Sequence, residues 1–533
     1  MSRSIAPVAR GEALWAGAWG VGVVAVASVP YLLAGWIAPP GYSFTGFLVN
    51  PADGFSYLAK MRDAAAGAWL VTLPYTHEPH PPALLYPQYI LLGKFAALTG
   101  LPPIWVYHGS RVAMGLLMLG VSFFFIASVI TDPPVRRTAF VLLSTGSGLT
   151  WLTSIWGLVA ADAGVQISNT FHILYSNMHF PLSTTLLVFP LLIVLRGLPA
   201  PPLSSMAFSG ATNALLALIA PFLLFSQASV GATWGAVLLY RGLLERRARL
   251  LLPLAVPALP AAGVSLQLYL NPVMREWTLQ NIIPSPEPWS FALGYGLLLV
   301  AAPLGAAILH RAGSPTIPAG TLLVVSWLIL GPVLVYLPLP WQRRLMQGYD
   351  LPLSIVGAVG IHAALRRMGP AAQRRLIASL LAFAMLGSFW LVGTSLAGAR
   401  ALEEPFYLSH ADLSGLAWLR DRARETDVVL ASPMMGNVIP AWSEARVYWG
   451  HPFETIRSSE KEAQANRFYQ PSATDTERCA LVREAGITLV YWGVVEGRMG
   501  PPPAHPWLEP VYREGPVIIY RVLPCEVLAG VFP

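Results

Sequence analysis

The chain has 533 residues, 55% of them hydrophobic and 11% charged; soluble domains carry charge at about 25% of positions, so this composition excludes an ordinary soluble protein and indicates a polytopic membrane protein. The 34 Lys and Arg against 27 Asp and Glu leave a formal charge of +7, which in such a protein reports cytoplasmic loops facing anionic lipid, so nucleic acid is not expected as a partner. Two cysteines, Cys479 and Cys525, exclude a disulfide framework or a cysteine metal site and leave room for one bridge if their domain is extracytoplasmic.

The first apolar run, 14–36, is longer than the roughly 7–15-residue core of a signal peptide, and no small-x-small cleavage site follows it, which predicts a retained membrane helix. Windows able to cross about 30 Å of hydrocarbon, about 20 apolar residues each, recur near 104–130, 139–159, 181–196, 208–225, 228–241, 250–270, 291–310, 321–340, 352–365 and 376–396. The expectation is about 11 transmembrane helices. With the N-terminus cytoplasmic, the inside loops collect Arg3, Arg10, Arg136, Arg137, Arg196, Arg241, Arg246, Arg247, Arg249, Arg311, Arg366, Arg367, Arg374 and Arg375; the opposite orientation puts nearly every arginine pair on the wrong side.

Residues 37–103 then form the first external loop. In it Phe55, Leu58, Met61, Ala65 and Trp69 recur at helical spacing while Tyr57, Lys60 and Asp63 point elsewhere, which predicts a helix lying in the outer interface. Tyr57 and Lys60 are candidates for contact with substrate. The run "ALLYPQYILLGKFAALTG" is interrupted by Pro87 and Lys94 and is read as a second juxtamembrane helix, because a span here would reverse every later loop against the arginine pattern.

After about residue 400 charges become frequent and apolar runs shorten, which defines a membrane domain over 1–400 and a soluble α/β domain over 401–533. "DLSGLAWLRDRARE" reads as a helix, "DVVLAS" and "ARVYWG" as strands, "TDTERCALVREAG" as a helix closed by Gly486, and "ITLVYWG" as a third strand. Eleven spans place this domain outside, on the side of residues 37–103. Pro-rich pieces such as "LPAPPLSS" and "GPPPAHP" read as loop punctuation.

The stretches "ADGFSYLAKMRDAAAGAW" and "HPPALLYPQYILLGKFAALTGLPPIWVYHGSR" resemble the GT-C superfamily of integral-membrane glycosyltransferases, in particular the lipid-linked-sugar transferases related to protein O-mannosyltransferases and aminoarabinose transferases. The likeness covers roughly 80 residues closely, and helix number and an external C-terminal domain agree over the rest. The chain also resembles a bacterial subgroup carrying "GHPFET" and "QRRLMQGYDLPL" segments. The resemblance implies a bacterial plasma-membrane enzyme that takes a sugar from a polyprenyl-phosphate donor on the outer face and passes it, by inverting displacement, to a glycan, lipid or protein acceptor. It implies Asp53 as the catalytic carboxylate. One departure is that Gly54 stands where many members have Glu, so a second carboxylate comes from elsewhere or is unnecessary.

Each candidate has a plainer reading beside the functional one. Asp53 sits where an N-cap would, and capping alone explains an aspartate there. Asp162, near His172 and His179 in a second external loop, offers a catalytic acidic partner or a metal ligand, or is simply a solvated acid; His179 is a substrate-binding candidate. His77, Glu78 and His80 in "HEPH" are substrate-binding candidates with ligand chemistry, leaving a divalent metal as an open cofactor; nearby prolines make a rigid turn the plainer reading, and no third ligand is fixed by spacing. Arg343 and Arg344 break the positive-inside tendency, and Arg suits bidentate phosphate recognition; snorkelling into headgroups is the alternative, as it is for Arg111. Asn437, His451, Glu454 and Lys461 either face an acceptor or build loops. The rival to an enzyme is a non-catalytic transporter or assembly protein for envelope polymers, which should show repeated halves and polar residues at mid-membrane.

Overall fold

The computed structural model describes residues 8–245, 249–250, 252–311, 318–402 and 404–525; Arg3, Arg246 and Arg247 of the arginine pattern lie outside them. Two compact units divide the chain. One comprises Met1–Pro30, Tyr107–Gly263 and Ile282–Ala397, the other Tyr31–Val106, Val264–Asn281 and Gly398–Pro533.

The first unit is helical. Every window read as a span holds a helix, but among the described residues seven helices are long and apolar enough to cross a membrane, or up to nine if each of two bent pairs is one span. The pairs are Pro133–Thr145 with Thr150–Trp156, bent by 43°, and Pro288–Tyr295 with Leu297–Ile308, bent by 84°. Leu203–Ile219 and Ala319–Leu334 have 17 and 16 residues, about 24–26 Å at 1.5 Å per residue, short of a 30 Å core. The eleven expected windows thus correspond to seven full-length helices, two bent pairs whose first helices end at Gly146 and Gly296, and two shorter apolar helices. Proline sits in the first turn of the helices Pro133–Thr145, Pro221–Tyr240 and Pro288–Tyr295, where its missing N–H costs nothing and its fixed φ suits the helix.

The second unit carries the α/β layer. Strand β1, Tyr42–Phe44, pairs antiparallel with β2, Tyr407–Ser409, tying the first loop to the start of the C-terminal segment. A five-stranded sheet of β3 (Val428–Leu430), β4 (Arg446–Val447), β5 (Leu489–Trp492), β6 (Leu508–Glu514) and β7 (Val517–Val522) runs in the order β4-β3-β5-β7-β6. β3 is parallel to both β4 and β5, while β5–β7 and the β6–β7 hairpin are antiparallel. The three strands and two helices read from sequence are present, at His410–Arg422 and Asp475–Glu484 for the helices; Ser409 and a Thr474–Glu477 capping box close their N-termini. The structure adds the β6–β7 hairpin and the helices Pro433–Trp442 and Ser458–Tyr469 to these. Leu430, Phe468, Tyr469, Val490 and Ile518 form the core. Cys479 and Cys525 are bridged.

The two helices of the first loop run over Pro51–Ala65 and Pro87–Thr99. They approach so closely that a Cβ on Gly93 would lie 2.2 Å from the Met61 carbonyl oxygen. The first is not the one-sided interfacial helix its periodicity suggests: Phe55, Leu58 and Met61 are buried, but so are Tyr57 and Lys60, and Trp69, beyond the helix end, is exposed. The reason is tertiary. The helix packs against Pro87–Thr99 on one side and Pro433–Trp442 on another, so its polar flank is covered as well.

Candidate active site

Asp53 stands in the first turn of Pro51–Ala65, but Asn50, in the left-handed region at φ 47°, is the N-cap residue. The capping reading of Asp53 is thereby corrected: its side chain is three positions into the element. One oxygen accepts from Asn50 Nδ2 and the other contacts His451 Nε2 at 3.1 Å. The backbone N–H groups of Phe453 and Glu454 donate to His451 Nδ1 at 3.1 and 3.2 Å. Nδ1 is therefore an acceptor, the ring proton sits on Nε2, and Nε2 donates to Asp53. The His451 side chain is 2% exposed and that of Asp53 27%, so the imidazole is enclosed while the carboxylate keeps an edge toward solvent. A carboxylate in a helix's first turn is also favoured by the aligned peptide dipoles.

The same loop grips the helix again. Glu454 accepts from Ser56 Oγ at 2.6 Å and from Lys60 Nζ at 2.9 and 3.0 Å, with Lys60 fully buried and its ammonium 4.6 Å from the Tyr86 ring centre. Burial opposes the charge on Glu454, but the Lys60 charge and the hydrogen bonds from Ser56 and Lys60 outweigh it and hold the carboxyl below its ordinary value. Tyr57, beside it, stacks on Tyr89 at 4.1 Å between centroids. Lys60 and Tyr57 are therefore packed inside this unit, where the sequence placed them on an open face.

Gly54 also has a physical reason. A Cβ there would lie 2.5 Å from the Phe47 ring, so the Asp-Glu pair of the resembling family has no room in this packing.

The "HEPH" loop joins the same unit. Lys461 Nζ donates to both Glu78 oxygens at 2.7 and 2.8 Å, and Thr76 donates to Glu78 as well. Burial pushes the Glu78 carboxyl up, yet these bonds prevail and bring it to about 2. Burial and the Lys461 charge lower His77 to about 4. His80 Nε2 accepts from the Leu73 N–H at 2.9 Å and Nδ1 contacts the Glu78 carbonyl. These donors do not converge: among the described residues no three His, Cys, Asp or Glu side chains could hold a metal ion together.

The remaining candidates lie in the helical unit. Asp162 is buried and accepts from Ser147 Oγ, from Thr150 N and from Thr150 Oγ1, bonds that pin a turn and occupy the carboxylate. Arg111 is buried, donating to the Leu174 carbonyl at 2.7 Å and to Ser28 Oγ at 3.2 Å. His179 opens the helix His179–Gly197, its ring against Phe180. Arg343 and Arg344 lie in a short 3₁₀ turn, Gln342–Met346, half-buried. Arg344 rests over the Phe222 ring, and neither guanidinium has a carboxylate partner among the described residues.

The chain thus combines an acidic side chain on the first loop after the first membrane helix, apolar helices of membrane-spanning length and an α/β C-terminal segment. No family model and no curated protein matches the chain by sequence. Among solved structures it is similar to the archaeal oligosaccharyltransferase AglB from Archaeoglobus fulgidus, in complex with an inhibitory peptide and a dolichol-phosphate (12% identity, TM-score 0.50, covering 89% of this chain and 69% of that one). It is likewise similar to the arabinofuranosyltransferase AftD from Mycobacteria (16% identity, TM-score 0.52, covering 98% of this chain and 40% of that one). At these identities the likeness is one of fold.

Proposed function

We propose that this chain is a membrane glycosyltransferase that moves a sugar from a polyprenyl-phosphate carrier to an acceptor on the extracytoplasmic side, with Asp53 as its base. The observation that carries the reading is the Asp53 carboxylate: partly exposed, held at both oxygens, and presented from the first loop of a GT-C fold. The acceptor hydroxyl oxygen bonds to the anomeric carbon as the bond from that carbon to the phosphate oxygen breaks. Asp53 takes the hydroxyl proton, polyprenyl phosphate leaves with the electron pair, and the configuration inverts. Arg343 and Arg344, without carboxylate partners among the described residues, offer the planar charged forks that suit a lipid phosphate. The Cys479–Cys525 bridge supports an oxidising, extracytoplasmic setting for the C-terminal segment.

The test is turnover of labelled undecaprenyl-phosphate hexoses and pentoses by the purified protein and by Asp53→Asn. The amide keeps the size, and Asn50 can rotate its own amide to satisfy it, so the variant should fold and bind donor. Turnover should fall by at least about 10²-fold. A variant that keeps most of its turnover refutes Asp53 as base. Wild-type protein inert toward the whole panel would favour the envelope-assembly reading.

A further inference from the structure

We infer that His451 is a positioning residue of the transfer reaction, fixing the Asp53 carboxylate in its reactive orientation from a loop 398 positions away in sequence; this rests on the reading of Asp53 as the base. The ring has one orientation available. Two backbone N–H groups converge on Nδ1, and reversing the ring would face them with a carbon. Tyr75, itself fully buried, packs against it at 5.5 Å between centroids. The Nε2 proton is therefore aimed at Asp53 Oδ1, and with Asn50 on Oδ2 both oxygens are held, which prevents the carboxylate from turning about its own bond.

The loop cannot slide. Glu454, three residues on, is locked to Ser56 and Lys60, and Asp53, Ser56 and Lys60 are spaced i, i+3 and i+7, on one face of the helix. The C-terminal segment thus meets the first-loop helix at two points in fixed register, one at the base and one two turns beyond. A base displaced by about 1 Å can lose about 10²-fold in rate, which is why a buried histidine at this point bears on chemistry as well as on stability. The charged and titratable groups around the pair are Lys60 and Glu454, which neutralise each other, Arg62 and Asp63, also paired, and the Tyr75 hydroxyl, which donates to the Asn437 carbonyl.

Two substitutions separate positioning from mere loop support. His451→Gln places an amide N–H near the Nε2 position and restores the donor to Asp53, while His451→Asn places an amide oxygen near Nδ1 and restores only the acceptor for the loop. With labelled undecaprenyl-phosphate sugars, His451→Gln should stay within about 10-fold of wild type, its acid limb of kcat unmoved. His451→Asn should lose about 10–100-fold in kcat with KM little changed, and its acid limb should move to higher pH, because the charged carboxylate has lost a donor. His451→Asn matching wild type, or both variants falling alike with the limb unmoved, overturns the inference. A second measurement needs no His451 variant: in protein labelled with ¹⁵N-histidine, Asp53→Asn should shift the Nε2 resonance of one histidine in the Nε2–H tautomer, and an unchanged set overturns the contact. Normal His451→Asn beside a dead Asp53→Asn sinks this inference alone, whereas an active Asp53→Asn sinks the base.

Discussion

Lys60→Met would leave the Glu454 carboxylate buried without its cation. The Lys60 side chain is fully enclosed and that of Glu454 5% exposed, with the ammonium 2.9 and 3.0 Å from the two oxygens. Water cannot take the lysine's place without opening the packing around Tyr86, and Ser56 supplies only one further bond. Removing one partner of such a pair costs about 3–5 kcal/mol, since the remaining charge keeps its desolvation penalty and loses its attraction. At about 2–4 °C per kcal/mol for a unit of this size, the midpoint of thermal unfolding should fall by about 6–20 °C. Lys60→Met with Glu454→Gln should recover much of that loss, because no buried charge is left. The sign with pH follows: without Lys60, burial raises the folded-state carboxyl above its unfolded value, so the penalty is full at neutral pH and fades as pH falls and Glu454 takes a proton. Tryptophan fluorescence during heating in detergent, for wild type, both single variants and the double, gives the cycle. A loss under about 1 kcal/mol in Lys60→Met, or a double variant as weak as the sum of the singles, would refute the account of how the 450–457 loop is held to the first-loop helix.

Arg343→Ala and Arg344→Ala should each weaken use of the polyprenyl-phosphate donor by up to about 1.5–3 kcal/mol, with partial rescue by Lys, which lacks the planar fork; unchanged donor kinetics in both would return them to headgroup contacts. Acid should destabilise the second unit in two stages, since His77, at about 4, contributes stability lost as pH falls from about 6.5 toward 4, and Glu78, at about 2, contributes stability lost from about 4.5 toward 2. Burial holds Lys461 below its ordinary value as well, so the Glu78 share is set at about 1–3 kcal/mol, and Glu78→Gln should flatten the lower stage of a pH series of unfolding midpoints. Orientation is tested with Glu425→Cys, in an exposed turn, while the native cysteines are bridged: an impermeant maleimide should label it in intact cells, and labelling only after the cells are opened would overturn the external placement.

The sequence by itself determined what is local. Runs of about 20 apolar residues locate helices because each spanning segment must satisfy its own backbone hydrogen bonds, and that requirement is written residue by residue. Pro87 and Gly100 bound the second helix of the first loop by steric rules that need no neighbours, whereas the catalytic reading of Asp53 came from the resemblance of its stretch to a known family. The strands of the C-terminal sheet were legible where apolar runs were short and bounded; the β6–β7 hairpin carries such a signal too, in the Gly515-Pro516 turn and the apolar run that opens β7, while β6 mixes charged and apolar residues. Only the tertiary structure decided what those residues touch. Lys60 reads as the solvated side of an interfacial helix until Glu454, 394 positions away, covers it; Asp53 reads as a cap until His451 claims one oxygen and Asn50 takes the N-cap position. Helical periodicity reports which face a residue occupies, and it is silent on which distant segment packs there. That pairing is set by the free energy of burying the whole unit, in which loop and helix enclose each other's charges.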